Sequence, residues 1–359
     1  MTRSASGRPW YGPLTDESGV ALVLTLVIVT LVAVLVLELN YLMRVDVHAS
    51  ANFRDGVRSY YLAKSGVTVV KELFSRDIQE LDELKNTLLI GGSHTLPIGE
   101  GSATVRVIDE TGKINVNALV NDAAALQPPA GARPAQAARA AQRGARPGEA
   151  AMESPWLQIT QELFQRLGID PTLVGAIKDW IDADDIPTGS GGAESSYYRG
   201  LEKPYRARNG AMETIAELRL IKGVTEEVWL KLGARRIGGI IDPSTNLYLT
   251  ALPSQGGWKV NINTAPAVIL NSLTFEVGQF GDIIVQQRAQ SRITQIKNDL
   301  QQLGISSEAL DIFENRGTID PLYYSVDARG TVGDTVKQIT ALIRRGTNQD
   351  SQTLYWRVQ

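Results

Sequence analysis

Five carboxylates, Asp179, Asp182, Asp184, Asp185 and Glu194, fall within sixteen residues of this chain, and Gly189, Gly191 and Gly192 lie between the last two. Like charges this close repel unless a cation sits among them, and the glycines let a loop fold back so that Glu194 approaches Asp182 and Asp184. Hard oxygen donors on a flexible loop suit calcium, whereas the lack of a nearby Cys or His turns the pattern away from zinc. The same residues also read as a solvated acidic loop in which Asp182 or Asp185 caps a helix, because the spacing is not that of a helix-loop-helix calcium site. A magnesium-dependent hydrolase is a third reading. It needs a general base, and the two histidines, His48 beside an apolar run and His94 in a Gly-rich loop, are poorly placed to serve.

The elements that must hold this loop are helical. Leu163, Leu167, Leu173, Ile177 and Ile181 carry helix-like spacing, as do Met212, Ile215, Leu218 and Ile221, and Ile283, Ile284 and Arg288 predict a further helix. Strands flank the helical stretch of about 154–315. Ala103, Val105 and Val107 alternate with polar residues and predict a strand pair over roughly 102–117, after Gly91, Gly92 and Pro97 have broken the preceding pattern. Near the other end, Tyr324, Val326 and Ala328 share one strand face, Ile339, Ala341 and Ile343 another, and Leu354, Tyr355 and Trp356 close the chain. Residues 122–152 are almost wholly Ala, Pro, Gln, Gly and Arg, a composition of a flexible linker or surface loop.

At the N-terminus, eighteen uncharged residues run from Val20 to Leu37. As a helix this run is about 27 Å long, enough to cross a bilayer core with its flanks. No small-x-small cleavage site follows Leu37, so a retained apolar anchor is expected, and a plain signal anchor is one form of it. Ser18-Gly19-Val20-Ala21-Leu22, with a helix starting directly after the glycine, resembles a type III, prepilin-type leader. That resemblance implies cleavage by prepilin peptidase after Gly19, leaving Val20 as the first mature residue. Beyond the membrane the helix is expected to continue through Tyr41, Val45, Ala49, Phe53, Val57, Tyr61, Leu62 and Val69, its outer half packing on a domain. The formal net charge of −3 holds no basic excess that would draw the chain to nucleic acid, and the absence of cysteine excludes disulfides and thiolate metal sites.

Several motifs then occur in order: Asp179-Trp180-Ile181-Asp182-x-Asp184, Gly192-Ala193-Glu194 with Tyr198, Pro204 to Gly210, Thr214 to Arg219, Val260-Asn261-Ile262-Asn263-Thr264-Ala265, and Tyr323-Tyr324. Together with the leader they cover nearly the whole chain, which resembles the K-type minor pseudopilins of type II secretion systems. The resemblance implies an α+β pseudopilin fold, a long N-terminal transmembrane helix packed on a small antiparallel sheet, with a large inserted α-helical domain. Its parts would be a leader (1–19), the transmembrane helix (20–40), the pseudopilin helix and first strands (41–121), the linker (122–153), the insert (154–318) and the completing strands (319–359). It further implies a non-enzymatic protein of the inner membrane with its bulk in the periplasm, working at the pseudopilus tip with I- and J-type minor pseudopilins. The acidic loop would bind one or two structural Ca2+ ions through Asp182, Asp184 and Glu194, with Asp179 and Asp185 beside them. Ser195 stands where members often have another acid.

Position five of the implied mature chain is Leu24, where most pilin-like subunits carry Glu. That Glu is thought to meet the N-terminal amine of the subunit ahead, so an apolar residue fits a subunit with nothing ahead of it; any apolar residue also suits a membrane helix. Phe53, Val57 and Tyr61 are read either as a partner-binding face or as packing on the chain's own sheet. Two alternatives stand beside the tip role. One is a type IV minor pilin. The other is a DNA-binding membrane protein, since Asn261 to Ala265 and Leu220 to Val224 resemble helix-hairpin-helix elements; Glu226 and Glu227 argue against phosphate contact.

Overall fold

The computed structural model describes residues 17–75, 92–120, 154–237, 240–241, 247–253, 257–275, 279–346 and 351–359. Residues 1–16 of the expected leader and the Ala/Pro-rich stretch lie outside the described residues.

One helix, α1 (Glu17–Ser75), runs for 59 residues. Its apolar N-terminal half is exposed and long enough to cross a membrane. The helix already includes Glu17, Ser18 and Gly19, so it does not begin directly after Gly19 as expected from the sequence.

The outer half of α1 lies on a five-stranded, fully antiparallel sheet ordered β1 (Ser93–Ile98), β2 (Gly101–Asp109), β3 (Tyr323–Val332), β4 (Thr335–Arg345) and β5 (Ser351–Val358). The face of α1 that packs differs from the expected one. Ser59, Ala63, Gly66, Val67, Val70 and Phe74 are buried, at helical spacing, against Val105, Val107, Tyr324, Val326, Ala328, Ile339, Ala341 and Ile343. Phe53, Val57 and Tyr61 are 77, 40 and 59% exposed, and Tyr41, Val45 and Val69 are exposed as well. The bulky stripe therefore does not pack on the chain's own sheet. Small residues make the contact because the backbones approach closely: a Cβ on Gly330 would lie 1.9 Å from the Ser59 carbonyl oxygen.

The first strand pair is also shifted. It is the hairpin of β1 and β2, joined through Gly99 and Glu100, while residues 110–118 form two short 3-10 turns around a two-residue bridge. Pro97 does not break the pattern, because β1 is an edge strand where a missing N–H costs no ladder bond.

Neighbouring strands β2 and β3 are separated in the chain by the insert, whose core runs from Ile114 to Phe313 and reaches Tyr323. Ile114, Val116, Ala118 and Leu119 belong to that core, although they read with the first strands in the sequence. The helices are α2 (Pro155–Arg166), α3 (Leu173–Ile181), α4 (Ser195–Arg199), α5 (Glu226–Lys231), α6 (Ala267–Leu273), α7 (Gly281–Gln290), α8 (Ile296–Gln302) and α9 (Ser307–Arg316). Met212 lies outside a helix, and Ile215–Leu220 is a 3-10 segment.

Two segments with nearly the same wording brace the insert. In Lys113-Ile114-Asn115-Val116-Asn117, the Asn115 Oδ1 accepts from Asn117 N at 3.1 Å, and the Asn117 amide exchanges bonds with Met212 N and O at 2.8 and 3.0 Å. In Lys259-Val260-Asn261-Ile262-Asn263, Asn261 Oδ1 accepts from Asn263 N at 3.0 Å, and Asn263 does the same with Ile293 N and O at 3.0 and 2.9 Å. The helix-hairpin-helix-like Asn261 and Asn263 thus spend these groups inside the protein. The insert joins the sheet through Asp109, whose Oδ2 accepts from Asn261 Nδ2 and Thr264 Oγ1 at 2.7 and 2.6 Å, and through Thr111 Oγ1, which accepts from Leu322 N and Tyr323 N.

Candidate metal centre

The acidic loop hangs from the C-terminal end of α3. That helix is apolar on nearly every side, so eight of its nine residues are buried, and its direction places Asp179 inside the insert with Asp182 as the C-cap. Asp179 organises the loop. Its Oδ1 accepts from Thr188 N at 2.9 Å and its Oδ2 from Ala193 N at 2.7 Å, which folds residues 183–193 back over the helix end. Gly192 is required at the fold, since a Cβ there would sit 2.5 Å from Asp179 Oδ2 and 2.6 Å from Thr188 N. The return delivers Glu194 to the residue before α4.

Asp179, Asp182 and Glu194 converge, each offering a carboxylate oxygen, all within 4.8 Å of one another, and all three side chains are buried. Asp184 and Asp185 do not join them. Both are exposed, and Asp184 Oδ1 accepts from Ile186 N at 2.8 Å to shape the turn. Both oxygens of Glu194 are buried without a hydrogen-bond partner among the described residues. Burial, followed by the charges of Asp179, Asp182, Asp184 and Asp185, pushes the Glu194 carboxyl up to about 7.

The floor of the site comes from the later motifs. Trp180 packs edge-on to Tyr198, with ring centroids 5.2 Å apart, and Tyr198 stacks on Tyr205 at the same separation. Trp180 Nε1 donates to Glu217, which Thr214 holds in a capping box. Two contributors were not picked out from the sequence. Lys222 reaches the loop, yet its ammonium donates to the Gly192 carbonyl at 3.1 Å and lies over the Tyr197 ring. Asn209 takes a left-handed φ of 47°, donates Nδ2 to the Asp184 carbonyl, and keeps a buried Oδ1 without a hydrogen-bond partner among the described residues. An Asn inside a Pro-Tyr-Arg-Ala-Arg-Asn-Gly turn was the available signal, because Asn tolerates that backbone.

Crowded, dry carboxylate oxygens are held together by a cation or by protons. The donor set is all oxygen, which fits a hard divalent ion of the calcium class. Gly19, Val20 and Leu24 lie along the exposed apolar half of α1, far along the chain from this cluster.

The family model for type II secretion system (T2SS), protein K, matches residues 112–234, which include this whole site. Type II secretion system protein K of Aeromonas hydrophila is 23% identical over 348 residues, 92% of this chain and 93% of that protein. The protein of the same name from Pseudomonas aeruginosa is 26% identical over 349 residues, covering 92 and 89%. Over most of its length the chain is thus similar to type II secretion system protein K. The Pectobacterium carotovorum protein K is 32% identical over 160 residues, 41% of this chain and 43% of its own. Among solved structures, one from the GspK-GspI-GspJ complex of enterotoxigenic Escherichia coli shares the fold, with a TM-score of 0.55 and 18% identity over 88% of this chain and 99% of that one. The similarity to protein K agrees with the α+β pseudopilin fold and its helical insert.

Proposed function

We propose that this protein is the tip subunit of a short periplasmic pseudopilus, a non-enzymatic component that starts pseudopilus assembly for export across the outer membrane. The observation that carries the reading is the exposed stripe of Phe53, Val57 and Tyr61 on α1, left bare because small residues make the helix's own packing face. Large apolar side chains at i, i+4 and i+8 on a long helix form a seam for other helices. The neighbours are the I- and J-type minor pseudopilins, in keeping with the complex in which the solved relative was found. The insert is too bulky for the shaft of a filament, and Leu24 removes the intramembrane acid that would seek a subunit ahead. Prepilin peptidase cleaves after Gly19, and the anchor keeps the chain in the inner membrane.

Asp179, Asp182 and Glu194 hold calcium, and the ion stabilises the fold of the loop. The two Glu194 oxygens, which have no hydrogen-bond partner among the described residues, support this reading. Asp184 and Asp185 contribute field from the rim.

The test is co-purification of the full chain with the I- and J-type subunits of its own system. Phe53→Glu with Tyr61→Glu should abolish complex formation while changing the stability of the chain by no more than the roughly 0.5 kcal/mol per substitution typical of surface changes. A complex that survives both substitutions removes the α1 seam. Mass spectrometry of the N-terminal peptide, made with and without prepilin peptidase, should give a start at Val20 in the first case alone.

A further inference from the structure

The two edges of the sheet are built differently. On β1 the edge carries Pro97, which has no N–H to offer a further strand. On β5 the sequence Ser-Gln-Thr-Leu-Tyr-Trp-Arg-Val has no proline, no glycine and a single charge, and seven of its eight residues are exposed. Long apolar edges of this kind are templates for pairing, and proteins ordinarily blunt them.

The register of β5 fixes which backbone groups remain open. Gln359 and Gln338 exchange both N–H and C=O bonds, at 2.8 and 3.1 Å. In an antiparallel ladder the bonded pairs alternate, so Arg357, opposite Thr340, and Tyr355, opposite Leu342, also bond inwards to β4. Trp356 and Val358 therefore turn their N–H and C=O groups towards the outer edge, where no further strand pairs among the described residues. Their side chains share the α1 side of the sheet with Ala341 and Ile339, the residues they pair with. Ala341 and Ile339 are fully buried, yet Trp356 and Val358 are 40 and 45% exposed. Helix α1 covers β2, β3 and β4 and leaves an apolar ledge on β5.

Charge selects the occupant. Strands β4 and β5 carry Lys337, Arg344, Arg345 and Arg357 and no Asp or Glu. Two acids lie close by: Asp327 on β3, which accepts from Thr340 Oγ1 at 2.6 Å, and Asp334 in the β3–β4 turn, at the far end from Arg344 and Arg345. A ribbon with four cations and no acid attracts an acidic strand and repels a basic one, including a second copy of itself.

We propose that the open edge of β5 is a strand-addition site that receives an extended, acidic segment of a partner protein as a sixth strand. Backbone bonds to Trp356 and Val358 supply the pairing, the ledge takes alternate apolar side chains, and the cations of β4 and β5 select for acid. The site depends neither on the cation nor on the α1 seam.

The experiment places p-benzoylphenylalanine at position 355 of the full chain in its native membrane, with position 336 as an exposed control on β4, and maps the cross-linked peptide by mass spectrometry. The expected adduct at 355 lies on another protein, in a segment with more Asp and Glu than Lys and Arg. Trp356→Pro, which removes the outward N–H, and Arg357→Glu should each cut its yield about tenfold, corresponding to 1.4 kcal/mol, whereas Trp356→Val should keep it. Four results overturn the proposal: an adduct to β5 of a second copy, a yield at 355 no higher than at 336, a mapped segment without acidic excess, or Trp356→Val losing as much as Trp356→Pro.

Discussion

Replacing Glu194 by Gln should change stability in opposite directions with and without calcium. In the ion-free protein the folded carboxyl has its pKa raised from 4.5 to about 7, so the folded chain holds the proton more tightly than the unfolded chain does. The sign follows from linkage: stability falls as pH rises between about 4.5 and 7 and is flat above. At 1.36 kcal/mol per pKa unit, the charging penalty at pH 8 is about 3 kcal/mol. Gln has the same shape, carries no charge, and presents an amide donor to Asp179 and Asp182. In chelator at pH 8, Glu194→Gln should therefore melt higher, by about 6–12 °C at roughly 2–4 °C per kcal/mol for a domain of this size. With saturating calcium the order should reverse, because the variant has lost a charged ligand while the parent gains RT ln(1 + [L]/Kd) from binding. The assay is thermal melting of the full chain in detergent, followed by tryptophan fluorescence because Trp180 lies beneath the site, at pH 5 and pH 8, with calcium and with chelator. At pH 5 in chelator the advantage of Gln should shrink, since the parent is then mostly protonated. Refutation would come from Glu194→Gln melting lower in chelator at pH 8, which would show that Glu194 carries no charge penalty. Parent curves that coincide with and without calcium would remove the cation.

Three further outcomes follow from packing. Gly330→Ala should destabilise the sheet by about 3 kcal/mol or more, because the added Cβ meets the Ser59 carbonyl oxygen and must push α1 off β3; chemical denaturation of the full chain measures it, and a change below about 1 kcal/mol would contradict the close approach. Asn263→Ala leaves the Ile293 backbone groups without their side-chain partners and should cost about 1–3 kcal/mol. Asn117→Ala should cost a similar amount for the matching bonds to Met212, and unequal losses beyond about twofold would show that the two braces are not equivalent.

Much of the site could be read from the sequence because its logic is local. Glycines between crowded acids predict a folded-back loop, and Asp179, Asp182 and Glu194 do meet. What could not be read was the division of labour, since Asp179 is held by backbone donors and Asp184 turns to shape its own loop, and only the folded path decides which acids face inwards. The alternation of Ala103, Val105 and Val107 located β2, but β1 is an edge strand with solvent on both faces and has no alternation to read. The packing face of α1 was missed for a different reason. Hydrophobicity ranks Phe, Val and Tyr above Ser, Ala and Gly, yet close backbone approach favours the small residues, and the bulky stripe was left outside. Asn117 and Asn263 escaped notice as a pair because their partners lie 95 and 30 residues away.

The joint at Asp109 and Thr111 bears on how the chain reaches its fold. Strands β2 and β3 are hydrogen-bonded neighbours, yet Asp109 pairs with Tyr324 across more than two hundred residues. Closing so long a loop from an unfolded chain is entropically costly and slow. Once the insert has folded, however, Thr111 Oγ1 holds the amides of Leu322 and Tyr323, so the two strand ends emerge side by side and the effective loop is a few residues long. The joint predicts that the insert serves as a template for the sheet, with the helical domain forming first, then β3 onto β2, then β4 and β5. A chain interrupted before β3 would present a completed helical domain beside a hairpin whose inner edge stays open, with nothing for the small-residue face of α1 to cover.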